Sequence, residues 1–131
     1  MRRLFLRAAG VAAAALVMGP VLAQSALPRV SLEQARADHE AGRITLIDLR
    51  EPSEHATGVA KGAQLLPLSQ LSRRAGEIPR NPDKPVYLIC NTQNRSQAAL
   101  KALQEQGWKR LHYAHGGMSA WAARGWPMVK P

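Results

Sequence analysis

Cysteine is nearly missing from this chain: 131 residues contain one, Cys90. A lone cysteine closes no intramolecular disulfide, so no bridge staples the fold, and in an exported chain it points to a partner or to a reactive thiol. Aromatic residues are also few, with three Trp, two Tyr and one Phe. Acidic residues number 9 against 18 Lys and Arg, for a formal charge of +9. Nucleic-acid binding would call for a basic stripe interleaved with aromatics. Here the basic residues are scattered and the rings are scarce, so no nucleic-acid partner is expected, and the surplus implies only a general pull on small anions. Metal ligands are thin as well. His39 and His55 stand alone in the sequence, and His112 and His115 are three apart, a spacing that sends strand side chains to opposite faces. With no second ligand cluster beside them, neither a metal nor another cofactor is expected.

Long apolar runs are absent except at the amino terminus. There Arg2, Arg3 and Arg7 lead into an alanine-rich stretch from Ala8 to Ala23, the order of a secretory signal peptide. Cleavage is expected after Ala23, with Ser25 or Ala26 as neighbouring alternatives. A retained membrane anchor would need a longer, greasier run of ~20 residues. The expected organisation is a cleaved signal peptide at 1–23, a short segment at 24–30, one domain at 31–127 and a tail at 128–131. The processed chain would carry 15 basic and 9 acidic residues, a net +6, in the periplasm or outside the cell. Its length suits one modest core.

Within the domain, strands and helices alternate. "SLEQARADHEAG" has the capping-box pattern, Ser31 with Gln34 three residues on, and stops at Gly42. "RITLIDLR" predicts a strand, "EPSEHATGVAKGA" a loop with a helical turn over Ser53 to Ala56, and Gln64 to Leu66 a short strand followed by a short helix from Leu68. "VYLIC" is an apolar run bounded by Pro85, as expected of a strand buried on both faces. From Ser96, "SQAALKALQEQG" sets Ala99, Leu100 and Leu103 on one face and closes at Gly107. "KRLHYAHGG" predicts a last strand and glycine turn, and "MSAWAARGW" a final helix, with Trp108, Trp121 and Trp126 read as packing residues. The alternation implies an α/β domain with a mainly parallel sheet.

Cys90 falls at the carboxyl end of the most buried strand, where ligands bind in open α/β sheets. The polar stretch "NTQNR" then leads straight into a helix. Backbone N–H groups curled around the sulfur, with the positive helix end, would favour thiolate over thiol. Arg95 supplies a cation or an anion clamp. The alternative is a buried cysteine acting as a small hydrophobe.

Three stretches, "IDLREPSEHATGVAKGA", "VYLICNTQNRS" and "YAHGGMSAW", resemble in order and separation the landmarks of the rhodanese-like sulfurtransferases, over roughly Ser31 to Trp126. The resemblance implies a three-layer fold with a central five-stranded parallel sheet and helices on both faces. It implies that Cys90 takes a sulfane sulfur from a small anionic donor such as thiosulfate, forms a persulfide, and passes the sulfur to a thiophilic acceptor such as cyanide, a thiol or a protein thiol. Asn91, Thr92, Gln93, Asn94, Arg95 and Ser96 would form the substrate-binding cradle, with Arg95 orienting the donor or bracing the loop. Asp48 and Arg50 would support it through an ion pair. Related phosphatases carry one more loop residue, whereas four here, Asn91 to Asn94, separate Cys90 from Arg95. Three departures stand out. Gln93 replaces a frequent glycine and, were its backbone left-handed, would cost ~1–2 kcal/mol. Asn91 replaces a basic residue frequent in thiosulfate users, and Val59 and Ala60 replace a histidine and isoleucine. Gln93 and Asn91 motivate an alternative, a non-catalytic module for sulfur carriage or protein binding, and a redox-sensing thiol is a third reading.

Overall fold

The computed structural model describes residues 10–14 and 26–131; the rest of the expected signal peptide at 1–23 lies outside the described residues. Element order is β1 (Arg29–Val30), α1 (Leu32–Glu40), β2 (Thr45–Asp48), α2 (Pro52–His55), β3 (Gln64–Leu65), α3 (Leu71–Arg74), β4 (Val86–Ile89), α4 (Asn94–Glu105), β5 (Leu111–Ala114) and α5 (Gly117–Ala123). Single 3-10 turns, Leu68–Gln70 and Ala75–Glu77, flank α3. The five strands form one sheet in the order β1-β5-β4-β2-β3, every pair parallel.

Pleating splits the core into two layers. Val86 and Leu88 join Ile47, Leu49, Leu111 and Tyr113 on one face, under Leu100 and Leu103 of α4. Tyr87 and Ile89 join Leu46 and Ala114 on the other, under Leu32 and Ala35 of α1 and Met118 and Trp121 of α5. All four β4 residues are buried, because the strand is central and covered on both sides. Each such aliphatic side chain contributes roughly 1.5–3 kcal/mol by leaving water.

Several local features differ from expectation. Arg29–Val30, in the short segment expected ahead of the domain and assigned no element there, is the edge strand, held by parallel register with Tyr113 and Ala114. Two residues are too short for a periodicity signal. The capping box at α1 is half formed: the Ser31 hydroxyl accepts from the Gln34 N–H at 3.1 Å. The Gln34 amide donates instead to Asp38 at 2.9 Å. Asp38 is buried and also accepts from the Tyr87 hydroxyl at 2.6 Å. That bond, with those from Gln34 and Arg43, holds its carboxyl at about 2, below the usual carboxylate range. The helical turn after β2 runs one residue earlier than expected, with Pro52 at its first position, where a missing N–H costs nothing.

Folding also sorts the charge. Arg43, Lys61, Lys84, Lys109 and Arg110 lie within three residues of a strand's first residue, so the parallel sheet collects them at the strands' amino ends. Some staple loops there: Lys84 Nζ donates to Gly42 O at 3.5 Å, and Arg110 Nη1 to Pro82 O at 3.0 Å. Cys90 lies at the opposite, carboxyl end. These five basic residues therefore stand away from the sulfur.

Candidate active site

The apolar β4 run fixes Cys90 one residue past its end, 1 % exposed. The chain then turns through Asn91, Thr92 and Gln93 into α4, whose first residue is Asn94 rather than the expected Ser96. The Gln97 N–H, bonded to Gln93 O at 2.9 Å, is the first of the helix to find its carbonyl. The N–H groups of Asn94, Arg95 and Ser96 thus lie ahead of the ladder, where a helix has donors to spare. The Ser96 N–H donates to Cys90 Sγ at 3.4 Å. Among the cradle amides, this is the one that reaches the sulfur. The thiol in turn donates to Ser96 Oγ at 3.4 Å, and the Ser96 hydroxyl donates to Gln93 O at 3.1 Å. With the thiol proton lost, that hydroxyl donates to the sulfur only by giving up its bond to Gln93 O, an exchange of a neutral acceptor for an anionic one that gives a thiolate two donors from one residue.

Gln93 sits at φ −149°, outside the left-handed region. The strain anticipated for a non-glycine residue there does not arise, since the turn closes without a positive φ.

What holds the loop from behind is the start of α5. The Met118 N–H donates to Cys90 O at 2.8 Å and the Ser119 N–H to Asn91 O at 2.9 Å. Gly117, at φ +60°, makes this approach possible. A Cβ there would lie 2.4 Å from the carbonyl oxygens of Cys90 and Thr92 and 2.5 Å from that of Asn91. The sequence marked "HGG" as a turn only. The role of Gly117 as the surface on which the loop carbonyls rest follows from tertiary contact alone.

Arg95 braces the loop. Its two terminal nitrogens meet the two oxygens of Glu54 at 2.5 and 2.7 Å, a bidentate pair across 41 residues. This pairing holds the Glu54 carboxyl at about 2, with the Arg95 hydrogen bond as the largest cause. It raises the Arg95 pKa. Glu54 is itself fixed by the α2 cap: its side chain accepts from the Glu51 N–H at 3.1 Å, while the Glu51 carboxylate accepts from the N–H and hydroxyl of Ser69 at 3.0 and 2.7 Å. Of the two roles expected for Arg95, the geometry presents the brace.

Asp48 and Arg50 form a buried pair beneath. Arg50 Nη2 meets Asp48 Oδ2 at 2.7 Å and Gly58 O at 2.8 Å, and the Arg50 backbone N–H donates to Asp48 Oδ1 at 3.0 Å. The pair ties the end of β2 to the loop after α2. His55, isolated in the sequence, is packed here: Nε2 stands 3.3 Å from Asp48 Oδ1 in a geometry that makes no hydrogen bond. Neither Asp48 nor Arg50 is bonded to the sulfur. Asn91, Thr92 and Asn94 are exposed and Gln93 is partly so, leaving an uncharged polar rim. The tryptophans pack: Trp108 donates to Ile78 O at 2.8 Å and Trp121 to Pro127 O at 3.0 Å.

Known proteins resemble this chain in sequence and fold. The rhodanese-like domain family matches residues 31–124. An Allochromatium vinosum protein named as a sulfurtransferase is 39 % identical over 101 residues, covering 77 % of this chain and 91 % of that protein. An uncharacterized Bacillus subtilis protein, YqhL, is 36 % identical over 104 residues, 79 % of each. The crystal structure of a rhodanese-related protein from Thermoplasma volcanium superposes with a TM-score of 0.70 at 27 % identity, over 79 % of this chain and 99 % of that one. With the parallel sheet, the sulfur at its carboxyl end and the matched residues in agreement, the chain belongs to the rhodanese-like domain family, which has sulfurtransferases among its members.

Proposed function

We propose that this protein is an exported single-domain sulfurtransferase that carries sulfane sulfur as a persulfide on Cys90. The carrying observation is the buried Sγ with the Ser96 N–H 3.4 Å away, set in a loop whose carbonyls at Cys90 and Asn91 are engaged from behind by α5. Carbonyls held outward leave N–H groups inward, and preorganised donors stabilise an anion without reorganising during reaction.

In the loading step the Cys90 thiolate attacks the outer sulfur of a sulfane donor, of which thiosulfate is the simplest. The new S–S bond forms as the donor's own bond to that sulfur breaks, and the leaving group takes the electron pair. In unloading, cyanide or an acceptor thiolate attacks the outer sulfur and the Cys90 thiolate departs. Each step exchanges one nucleophile for another, so no outside oxidant or reductant is needed. The Ser96 donors serve both anions, thiolate and persulfide.

The test is steady-state sulfur transfer to cyanide and to a small thiol. Wild type is expected to turn over and Cys90→Ser to be inactive while unfolding at a similar temperature. Equal turnover by the two proteins would end the proposal. Export is tested by sequencing the amino terminus of protein recovered outside the cytoplasm. Gln24 as first residue is expected, and an intact segment 1–23 there would refute it.

A further inference from the structure

We propose that the end of the sheet opposite Cys90 is a docking groove for an acidic segment of a protein partner, which holds this protein by its far side and leaves the cysteine loop open.

Two hollows of about 440 and 350 Å³ lie at the amino ends of the strands, and both have Thr45 and Lys84 in their walls. One runs on to Asn81 and Asp83 and the other to His39 and Gln64, so together they form one groove with Lys84 at its middle. Pro79, Pro82 and Pro85 stiffen the wall of the first hollow by fixing φ. A partner therefore meets a surface that needs little ordering on binding.

The cations around the groove are fixed in place without being neutralised. Lys84 Nζ donates to Gly42 O at 3.5 Å, Arg110 Nη1 to Pro82 O at 3.0 Å, and Arg80 Nη1 to Gln106 O at 2.5 Å. The Arg80 guanidinium also lies 3.8 Å from the centre of the Trp108 ring. Arg110 has φ +59°, the one positive φ outside glycine among the described residues, and backbone strain of this kind persists where the surrounding fold over-determines it. Lys61 and Lys109 stand exposed at the same end. Of the carboxylates there, Asp38 is paired with Arg43, Glu40 with Arg36 and Glu77 with Arg74. That leaves Lys61, Arg80, Lys84, Lys109 and Arg110 against Asp83 and Glu105, a net +3. The cysteine end is built differently, with Arg50 on Asp48 and Arg95 on Glu54.

Shape and composition select among polyanions. A lipid surface does not enter a groove, and the exposed large hydrophobic residues among those described, Val11 and Val129, form no part of its walls. Single-stranded nucleic acid calls for aromatic faces on which bases stack, and Trp108 is buried beneath Arg80. Residues 1–25 of this chain carry three arginines and no acidic residue, so like charge keeps them out. A segment rich in Asp and Glu fits, its carboxylates meeting cations already in position with Thr45, Gln64 and Asn81 as uncharged donors between them. Docked there, it stays clear of the sulfur. Pro85 and Cys90 are five residues apart along β4, ~17 Å at the rise of a strand, about twice the ~8 Å over which physiological salt screens a charge.

The test measures binding of fluorescein-labelled poly-L-glutamate by anisotropy, with oligothymidylate and phosphatidylglycerol vesicles as competing probes. Polyglutamate is expected to bind more tightly than either, and less tightly as salt rises. Lys84→Glu with Lys109→Glu should weaken its binding at least ~10-fold. Arg29→Glu with Lys130→Glu makes the same change in net charge at exposed positions off the groove and should weaken it by no more than about twofold. Hydrogen exchange should slow on binding over residues 42–45 and 80–84 and stay unchanged over 90–97. Equal weakening by the two pairs of substitutions would reduce the binding to overall charge and overturn the proposal. Tighter binding of either competing probe, no binding of polyglutamate, or protection over 90–97 would overturn it as well. None of these readouts uses sulfur chemistry, so the docking groove stands or falls independently of the sulfur-transfer reading.

Discussion

Replacing Gly117 with alanine probes the support behind the cysteine loop. Two costs add at this position. An L-residue at φ +60° pays about 1 kcal/mol for the left-handed backbone. The new methyl would also lie within 2.4–2.5 Å of three carbonyl oxygens, so the loop must retreat, and overpacking of this kind costs roughly 1–3 kcal/mol. Gly117→Ala is therefore expected to lose about 2–4 kcal/mol in urea unfolding. Retreat of the loop stretches the bonds from Met118 and Ser119, so sulfur loading of Cys90 should slow by about 10²-fold, the scale of a 1 Å misplacement. Gly125→Ala is the control. It has φ +68° but open space around the new methyl, so it should lose only the backbone share, about 1 kcal/mol, and load sulfur at the wild-type rate. If Gly117→Ala matched Gly125→Ala in both stability and loading, the idea that α5 sets the loop would be wrong.

Further outcomes follow from the same contacts. Gln93→Gly should fail to stabilise the protein and instead lose about 0.5–1 kcal/mol in unfolding assays, since φ −149° needs no glycine and the unfolded chain gains freedom. Asp48→Asn should destabilise by about 3–5 kcal/mol in urea, because it leaves Arg50 charged, buried and without its carboxylate. Tyr87→Phe removes a 2.6 Å bond to the Asp38 carboxylate and should lose about 1.5–3 kcal/mol at pH 7. Asp38 titrates at about 2 in the fold against a usual 3.8. The stabilisation linked to that depressed value is full above pH 4 and is lost as pH falls toward 2. The difference between Tyr87→Phe and wild type, followed by urea midpoint against pH, should shrink over that window.

Much of this architecture was legible because β4 and α4 carry dense, local signals. "VYLI" is apolar without interruption and ends up wholly buried, and Ala99, Leu100 and Leu103 recur at helical spacing and face the sheet. Cys90 was legible for the same reason, as the first residue after a strand that announces itself. What escaped was set by contacts distant in sequence. The Glu54–Arg95 clamp spans 41 residues, and either side chain alone is an ordinary surface charge. Gly117 declares its closeness to the loop only once β5 has paired beside β4. His55 looked isolated until Asp48, on the neighbouring strand end, came to stand beside it. The grouping of Arg43, Lys84, Lys109 and Arg110 was hidden for a geometric reason: residues spaced along the chain are brought to one end by a parallel sheet whose strands all begin there.

The central claim is that the cradle makes Cys90 a carrier of sulfur, and its most direct test is peptide-resolved mass spectrometry after brief exposure to a sulfane donor. The account predicts a gain of one sulfur atom on the Cys90 peptide, absent in Cys90→Ser and reversed by a small thiol. A cysteine that stays unmodified with every donor, or that accumulates sulfenic acid or a stable mixed disulfide in place of the persulfide, would contradict it.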